Sequence, residues 1–267
     1  MNLPETEFNK DKNSFHPPEI LFLALFTGFF VFFTGGLLSF AGGSKFILLG
    51  EIFIIVPAVV YAVWQQKNIK TVFRLNSISS SILLHTIAIA VAGFVIIDEV
   101  DRLIAMKFPM PEEQVAILRE MLTITSFSDG VIIFLSAVVF AAVAEELFFR
   151  GMLQRNLELV RDPAMTMVLT SVFFALTHFS FELALQILLL GLLLAYMSWK
   201  ANSVFPAIII HATNNFFSLI LFNIPEEQTA WYASEGHVNY IWVLASILLF
   251  IPLFRSYNNA CESKVKL

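Results

Sequence analysis

Long apolar runs separated by short polar stretches dominate this chain. Eight runs stand out, at 20–40, 46–65, 79–97, 130–150, 164–179, 183–199, 203–223 and 238–254. A bilayer core about 30 Å thick takes about 20 apolar residues per helix, with a range of about 17–25. The runs meet or approach that length. They predict an all-α, polytopic membrane protein of about eight transmembrane helices. The polar stretch at about 98–129 carries Asp98, Glu99, Asp101, Glu112, Glu113, Glu120 and Asp129. Within it, Pro111-Glu112-Glu113 predicts a helix start, with acids at the positive end of the helix dipole. Val115, Leu118 and Leu122 then share a face, which predicts a short interfacial helix. Ser128 or Asp129 is expected to cap the fourth span. The expected organisation is an N-terminal segment 1–19, one membrane domain 20–254 with a chemistry-bearing core at 130–220, and a tail 255–267.

Composition agrees with this pattern. Of the 267 residues, 58 % are hydrophobic and 14 % charged, against roughly 45–50 % and about 25 % in soluble proteins. A soluble core of this size cannot absorb so much apolar surface, so the surplus must face lipid; the 29 Phe residues suit hydrocarbon. The net charge is −5 and no basic run is present, which argues against a nucleic-acid partner. The single cysteine, Cys261, excludes an internal disulfide framework and any multi-cysteine metal site. The first 18 residues are polar and no small-residue cleavage site follows the first apolar run, so that run is expected to stay as an anchor.

Lys and Arg set the expected orientation. With the N-terminus inside, 12 of the 16 basic residues fall on the cytoplasmic side. They are Lys10, Lys12, Lys67, Lys70, Arg74, Arg150, Arg155, Arg161, Lys200, Arg255, Lys264 and Lys266. Lys45, Arg102, Lys107 and Arg119 fall on the other side. Both termini are therefore expected in the cytoplasm, at the plasma (inner) membrane if the source is bacterial.

Ionisable groups inside apolar spans are costly and mark candidate functional sites. Glu145 and Glu146 end the fourth span. Glu146 and Arg150 are four apart, on one helix face, and able to pair. Glu145 is turned about 100° from Glu146 by the helical step. The string also reads as an ordinary helix end with an ion pair. His178 alone reads equally as a hydrogen-bonded packing residue. His211 and Asn215, again four apart, project together from an apolar helix and need a shared polar partner, since their desolvation is costly. Asn214 is expected to point elsewhere, toward a neighbouring helix. Glu51, His85 and Glu182 lie near span ends or in a turn and read as structural.

Three apolar helices thus each carry polar residues of catalytic type. A carboxylate with a His can activate water, and a second His with an amide can hold an oxyanion. These are the parts needed for amide hydrolysis without a covalent intermediate. No Gly-x-Ser-x-Gly elbow is present and the cysteine lies in the tail, which disfavours serine and cysteine nucleophiles. Glu145, His178 and His211 also form a possible zinc ligand set, although His-Glu-x-x-His is absent. A non-catalytic scaffold for a partner's transmembrane helix and a proton-coupled transporter are the other readings. Against the transporter, no inverted repeat is visible.

Glu145-Glu146-x-x-x-Arg150, Phe174-x-x-x-His178 and His211-x-x-x-Asn215 together resemble the three motifs of the CAAX-protease and bacteriocin-processing (CPBP) membrane proteases. These are also called type II CAAX prenyl endopeptidase-like or ABI proteins. The resemblance covers roughly 130–220. It implies an eight-helix intramembrane peptidase acting on a membrane-associated protein or peptide, with the site among the fourth, fifth and seventh spans. It also implies roles: Glu145 and His178 activate water, His211 and Asn215 stabilise the oxyanion, and Glu146 and Arg150 support them. The implied chemistry uses no cofactor, zinc being the alternative. For Glu145 to meet His178, which lies about fifteen residues or about 22 Å of helix past Pro163, the fourth helix must continue past Arg150 and the fifth must begin below the membrane surface.

Overall fold

A computed structural model of the chain describes residues 11–42, 48–178 and 180–265. Residues 1–10 of the N-terminal segment, residues 46–47 of the second apolar run, and Lys10, Lys45 and Lys266 of the charge pattern lie outside the described residues. Helix α1 is Pro17–Gly42. A 3-10 segment, Leu48–Ile54, leads into α2, Val56–Trp64. Then come α3 (Ser80–Lys107), α4 (Glu112–Leu122) and the long α5 (Phe127–Leu157). After these follow α6 (Pro163–Leu176), α7 (Phe181–Ala201), α8 (Phe205–Asn223) and α9 (Tyr240–Val265).

The all-α, membrane-spanning class stands. Among the described residues, α1, α3, α5, α7, α8 and α9 are long and apolar enough to cross a membrane. The other two apolar runs form shorter helices, Gly50–Trp64 and Pro163–Leu176. The interfacial helix starts after Pro111, with Glu112 and Glu113 in its first turn. Two local expectations need correction. The cap of α5 is Ser126, whose side chain accepts from the Asp129 backbone N–H, so the helix begins before Ser128 and Asp129. The acids Asp98, Glu99 and Asp101 belong to α3, which runs on to Lys107.

Those acids dock the segment before α9. Ala233–Ser234 pairs antiparallel with His237–Val238. Glu235 and Gly236 both have positive φ at the turn between the two strands, the backbone a tight two-residue hairpin requires. Glu99 accepts from the Val238 backbone N–H at 2.7 Å and meets His237 Nδ1 at 2.9 Å, while the Tyr232 hydroxyl donates to Asp98 at 2.8 Å. Burial, together with the neighbouring Asp98 charge, pushes the Tyr232 phenol well up.

At the opposite end of α5 the N-terminal segment is pinned down. Phe15 is fully buried, and its backbone N–H donates to Asn156 Oδ1 at 2.7 Å. Lys67 donates to the Ser14 carbonyl at 2.6 Å, and Arg155 pairs with Asp11. Phe15 joins Phe73, Phe148, Phe149, Met152 and Phe174 in one apolar cluster. A second cluster joins α3, α7, α8 and α9 through Ile89, Leu194, Ile210 and Tyr257. Helices α5, α6 and α8, which carry the polar residues, are thereby fixed on both flanks. Gly151 on α5 permits one close approach: a Cβ there would stand 2.8 Å from the Phe73 carbonyl oxygen.

Candidate active site

Helix α5 is not regular. The stretches Phe134–Phe140 and Leu147–Gln154 are π-helical and flank an α-helical turn, Ala141–Glu146. Such widened turns recur at functional sites because each re-aims the side chains that follow it. Glu145 and Glu146 lie at the end of the regular turn, both buried.

The expected pairing of Glu146 and Arg150 is present. Arg150 Nη1 donates to Glu146 Oε1 at 3.0 Å, and both side chains are fully buried. Arg150 Nη2 donates to the Gly191 carbonyl on α7 at 3.2 Å. The guanidinium lies 4.3 Å from the centroid of the Phe174 ring, a cation–π contact strengthened by exclusion of water. A side chain at position 191 would crowd Arg150 and Phe174. Glu146 Oε1 also meets His211 Nδ1 at 2.8 Å. One carboxylate therefore joins α5 to α8 while its guanidinium partner joins α5 to α6 and α7.

Phe174 organises the centre. The rings of His178 and His211 meet it edge-on, at centroid distances of 4.9 and 5.8 Å. His178 lies just past the end of α6, and its Nδ1 is 2.9 Å from the Phe174 carbonyl. A carbonyl oxygen only accepts, and so does an ionised carboxylate. Both imidazoles therefore carry their proton on Nδ1 when neutral, which leaves Nε2 as the free nitrogen of each ring.

Glu145, His178, His211 and Asn215 all line one cavity of about 360 Å³ between α5, α6, α7 and α8. Its remaining wall is mostly apolar, with Gln186 and Ser218 adding polar groups. Glu145 and His178 face the same space, and no direct hydrogen bond joins them among the described residues. Asn215 Nδ2 donates to the Ala137 carbonyl at 2.8 Å, tying α8 to the first π stretch. The expectation for Asn214 is overturned. It is buried, lines the same cavity, and its amide lies 3.5 Å from Asn215 Oδ1. Of the three residues read as structural, His85 Nδ1 meets the Ser81 carbonyl and Glu182 takes the Ser180 hydroxyl. Glu51 differs: it lies on the 3-10 segment that packs against α5, beside Glu145.

The proposed zinc trio, Glu145, His178 and His211, shares the cavity, but no three His, Cys, Asp or Glu side chains among the described residues are gathered as a metal site requires. Helix α5 continues past Arg150 to Leu157, as expected, and α6 begins at Pro163.

Carboxyl, imidazole and amide groups drawn from three apolar helices thus line one cavity, with Glu145 and His211 buried. Residues 127–217, the start of α5 to most of α8, match the family model of Rce1-like type II CAAX prenyl endopeptidases. The matched segment holds all three motifs, and the match agrees with their resemblance to that family. No curated protein and no solved structure matches the chain.

Proposed function

We propose that the chain is an intramembrane endopeptidase that hydrolyses a peptide bond of a membrane-associated protein or peptide. The observation that carries this reading is the convergence of Glu145, His178, His211 and Asn215 on one cavity within apolar helices. Water held between Glu145 and the free Nε2 of His178 loses a proton as its oxygen attacks the scissile carbonyl. The developing oxyanion takes hydrogen bonds from Asn215 and from His211. With its Nδ1–H held by Glu146, His211 donates through Nε2 as an imidazolium, and the Glu146 carboxylate stabilises that charge. The proton taken from water passes to the leaving nitrogen. No step needs a metal ion.

The wall composition supports a substrate segment that is largely apolar, delivered from the bilayer. The distribution of basic residues supports cytoplasmic termini. The test compares C-termini and juxtamembrane cleavages in membrane proteomes of cells with wild-type protein and with Glu145→Ala or His178→Ala. Each variant should insert normally and lose about 10²–10⁴-fold in cleavage. Normal cleavage by the Glu145→Ala protein would remove the mechanism. A partner phenotype that survives both substitutions would indicate a scaffold.

A further inference from the structure

Helix α7 adds one polar side chain to the catalytic cavity, and the chemistry above gives it no task. Its share of the wall is Leu183, Gln186, Ile187 and Leu190, a single helical stripe in which only Gln186 is polar. The residue is half-buried. Among the described residues its amide has no hydrogen-bond partner at either end. The other spare polar groups of the wall differ. Asn214 lies against Asn215. Ser218 is exposed on α8 and can turn its hydroxyl to a carbonyl of its own helix.

Helix register sets Gln186 at the level of the reacting groups. Arg150 Nη2 donates to the Gly191 carbonyl and Gln154 Nε2 to the Ala195 carbonyl. Helices α5 and α7 therefore run side by side in parallel, and equal steps along them stay level. Five residues before Arg150 stands Glu145; five before Gly191 stands Gln186. Helix α6 runs the opposite way and gives the same level. A Cβ at Gly191 would stand 3.4 Å from the Phe174 ring. From that contact Gln186 lies about 7.5 Å back along α7 and His178 about 6 Å on along α6, in the same direction.

Cutting a peptide inside a membrane poses a hydrogen-bonding problem. The chain must be extended at the cut, and its unwound N–H and C=O groups find no partner in hydrocarbon. With the scissile carbonyl turned to α8, the neighbouring peptide groups of an extended chain turn away from it. Gln186 offers the complement of one such group: its carbonyl accepts an N–H and its NH2 donates to a C=O. We propose that Gln186 is a substrate-binding residue that pairs with the peptide backbone beside the scissile bond and holds that bond level with Glu145 and His178. This rests on the peptidase reading above. The contact reads backbone rather than side chains, so it serves apolar segments of varied sequence.

The test is a cycle between protein and substrate. Labelled peptides ending in a prenylated cysteine and three residues are made with an ester in place of the amide at each peptide bond flanking the scissile one, one bond at a time. An ester lacks the N–H and is a weaker acceptor. Full-length wild-type protein in proteoliposomes should lose about tenfold in kcat/KM for one of these esters, chiefly through KM. Gln186→Leu should lose about tenfold on the parent peptide and then cut that ester no worse than the amide. Losses that simply multiply at every ester position would overturn the proposal, because a residue that only shapes the wall gives that result. Gln186→Met, which keeps the length, takes the place of the Leu variant if the latter does not fold. Fluorescence anisotropy of the same peptides on wild type and on Gln186→Leu, each also carrying Glu145→Gln, runs the cycle without turnover. Wild type that binds the peptides but never cuts them sinks the peptidase reading, while the binding cycle still decides on Gln186. Peptides that are neither bound nor cut sink both.

Discussion

Glu146 and His211 stand on different helices and meet through a single carboxylate oxygen, which also takes the Arg150 guanidinium. Orientation of the imidazole and neutralisation of the arginine thus depend on one atom. Glu146→Ala removes both at once and strands Arg150 in a fully buried site. Breaking a buried pair from one side costs about 3–5 kcal/mol, so folded yield and activity should fall together. Adding Arg150→Gln to Glu146→Gln should recover thermal stability in detergent without recovering turnover, because His211 remains without its anionic partner. A double variant no more stable than the single ones would break this account.

Asn215 separates chemistry from architecture. Asn215→Ala should reduce turnover by about 10²–10³, the usual loss for one oxyanion donor. It also loses the bond to the Ala137 carbonyl, which costs about 1 kcal/mol. The signature is a large fall in kcat beside a small shift in unfolding temperature. Unfolding of Asn215→Ala while Arg150→Ala remains folded and active would reverse the two assignments.

Position 151 tests the packing that carries the site. A methyl group added at Gly151 would stand 2.8 Å from the Phe73 carbonyl oxygen and 3.0 Å from its Cα. Backbone on one side and a buried helix on the other leave little room to give. Gly151→Ala should cost about 1–3 kcal/mol, the range for overpacked cores, measurable as a lower unfolding temperature. A neutral result would mean that the segment before α3 moves freely against α5.

Chelation bears on the metal question. The proposed chemistry uses His211 and Asn215 as hydrogen-bond donors and assigns no ligand to an ion. Cleavage should persist in EDTA and in phenanthroline at millimolar-scale concentrations. Stoichiometric bound zinc, lost with activity and restored with it, would instead make Glu145, His178 and His211 ligands.

Much of the site is legible in the sequence because spacing within one helix is fixed. The four-residue intervals Glu146 to Arg150 and His211 to Asn215 follow from helical periodicity alone. What spacing cannot supply is the rotation of one helix against another. The Glu146–His211 contact depends on that rotation. So does the placement of Asn214, in the cavity wall beside Asn215. The cavity is wide enough to take both neighbours. The π stretches of α5 are equally hidden, since neither contains a proline to mark it. Glu51 was set aside for its place near the end of an apolar run. The 3-10 segment folds that run inward, so proximity to a span end says little about proximity to the site. Among the described residues each apolar run forms mostly helix, but two of those helices are short, because hydropathy marks apolar segments without fixing where a helix begins.

Phe15 has a further consequence, for the order in which the chain can be assembled. Its backbone partner, Asn156, lies 141 residues later. At a synthesis rate of about 5–20 residues per second, that interval is on the order of ten seconds. Throughout it α1 can already occupy the membrane while the Phe15 N–H waits for its side-chain partner. The segment around Phe15 is therefore among the last to settle, and the apolar cluster beneath Phe15 closes only after α5 has been delivered.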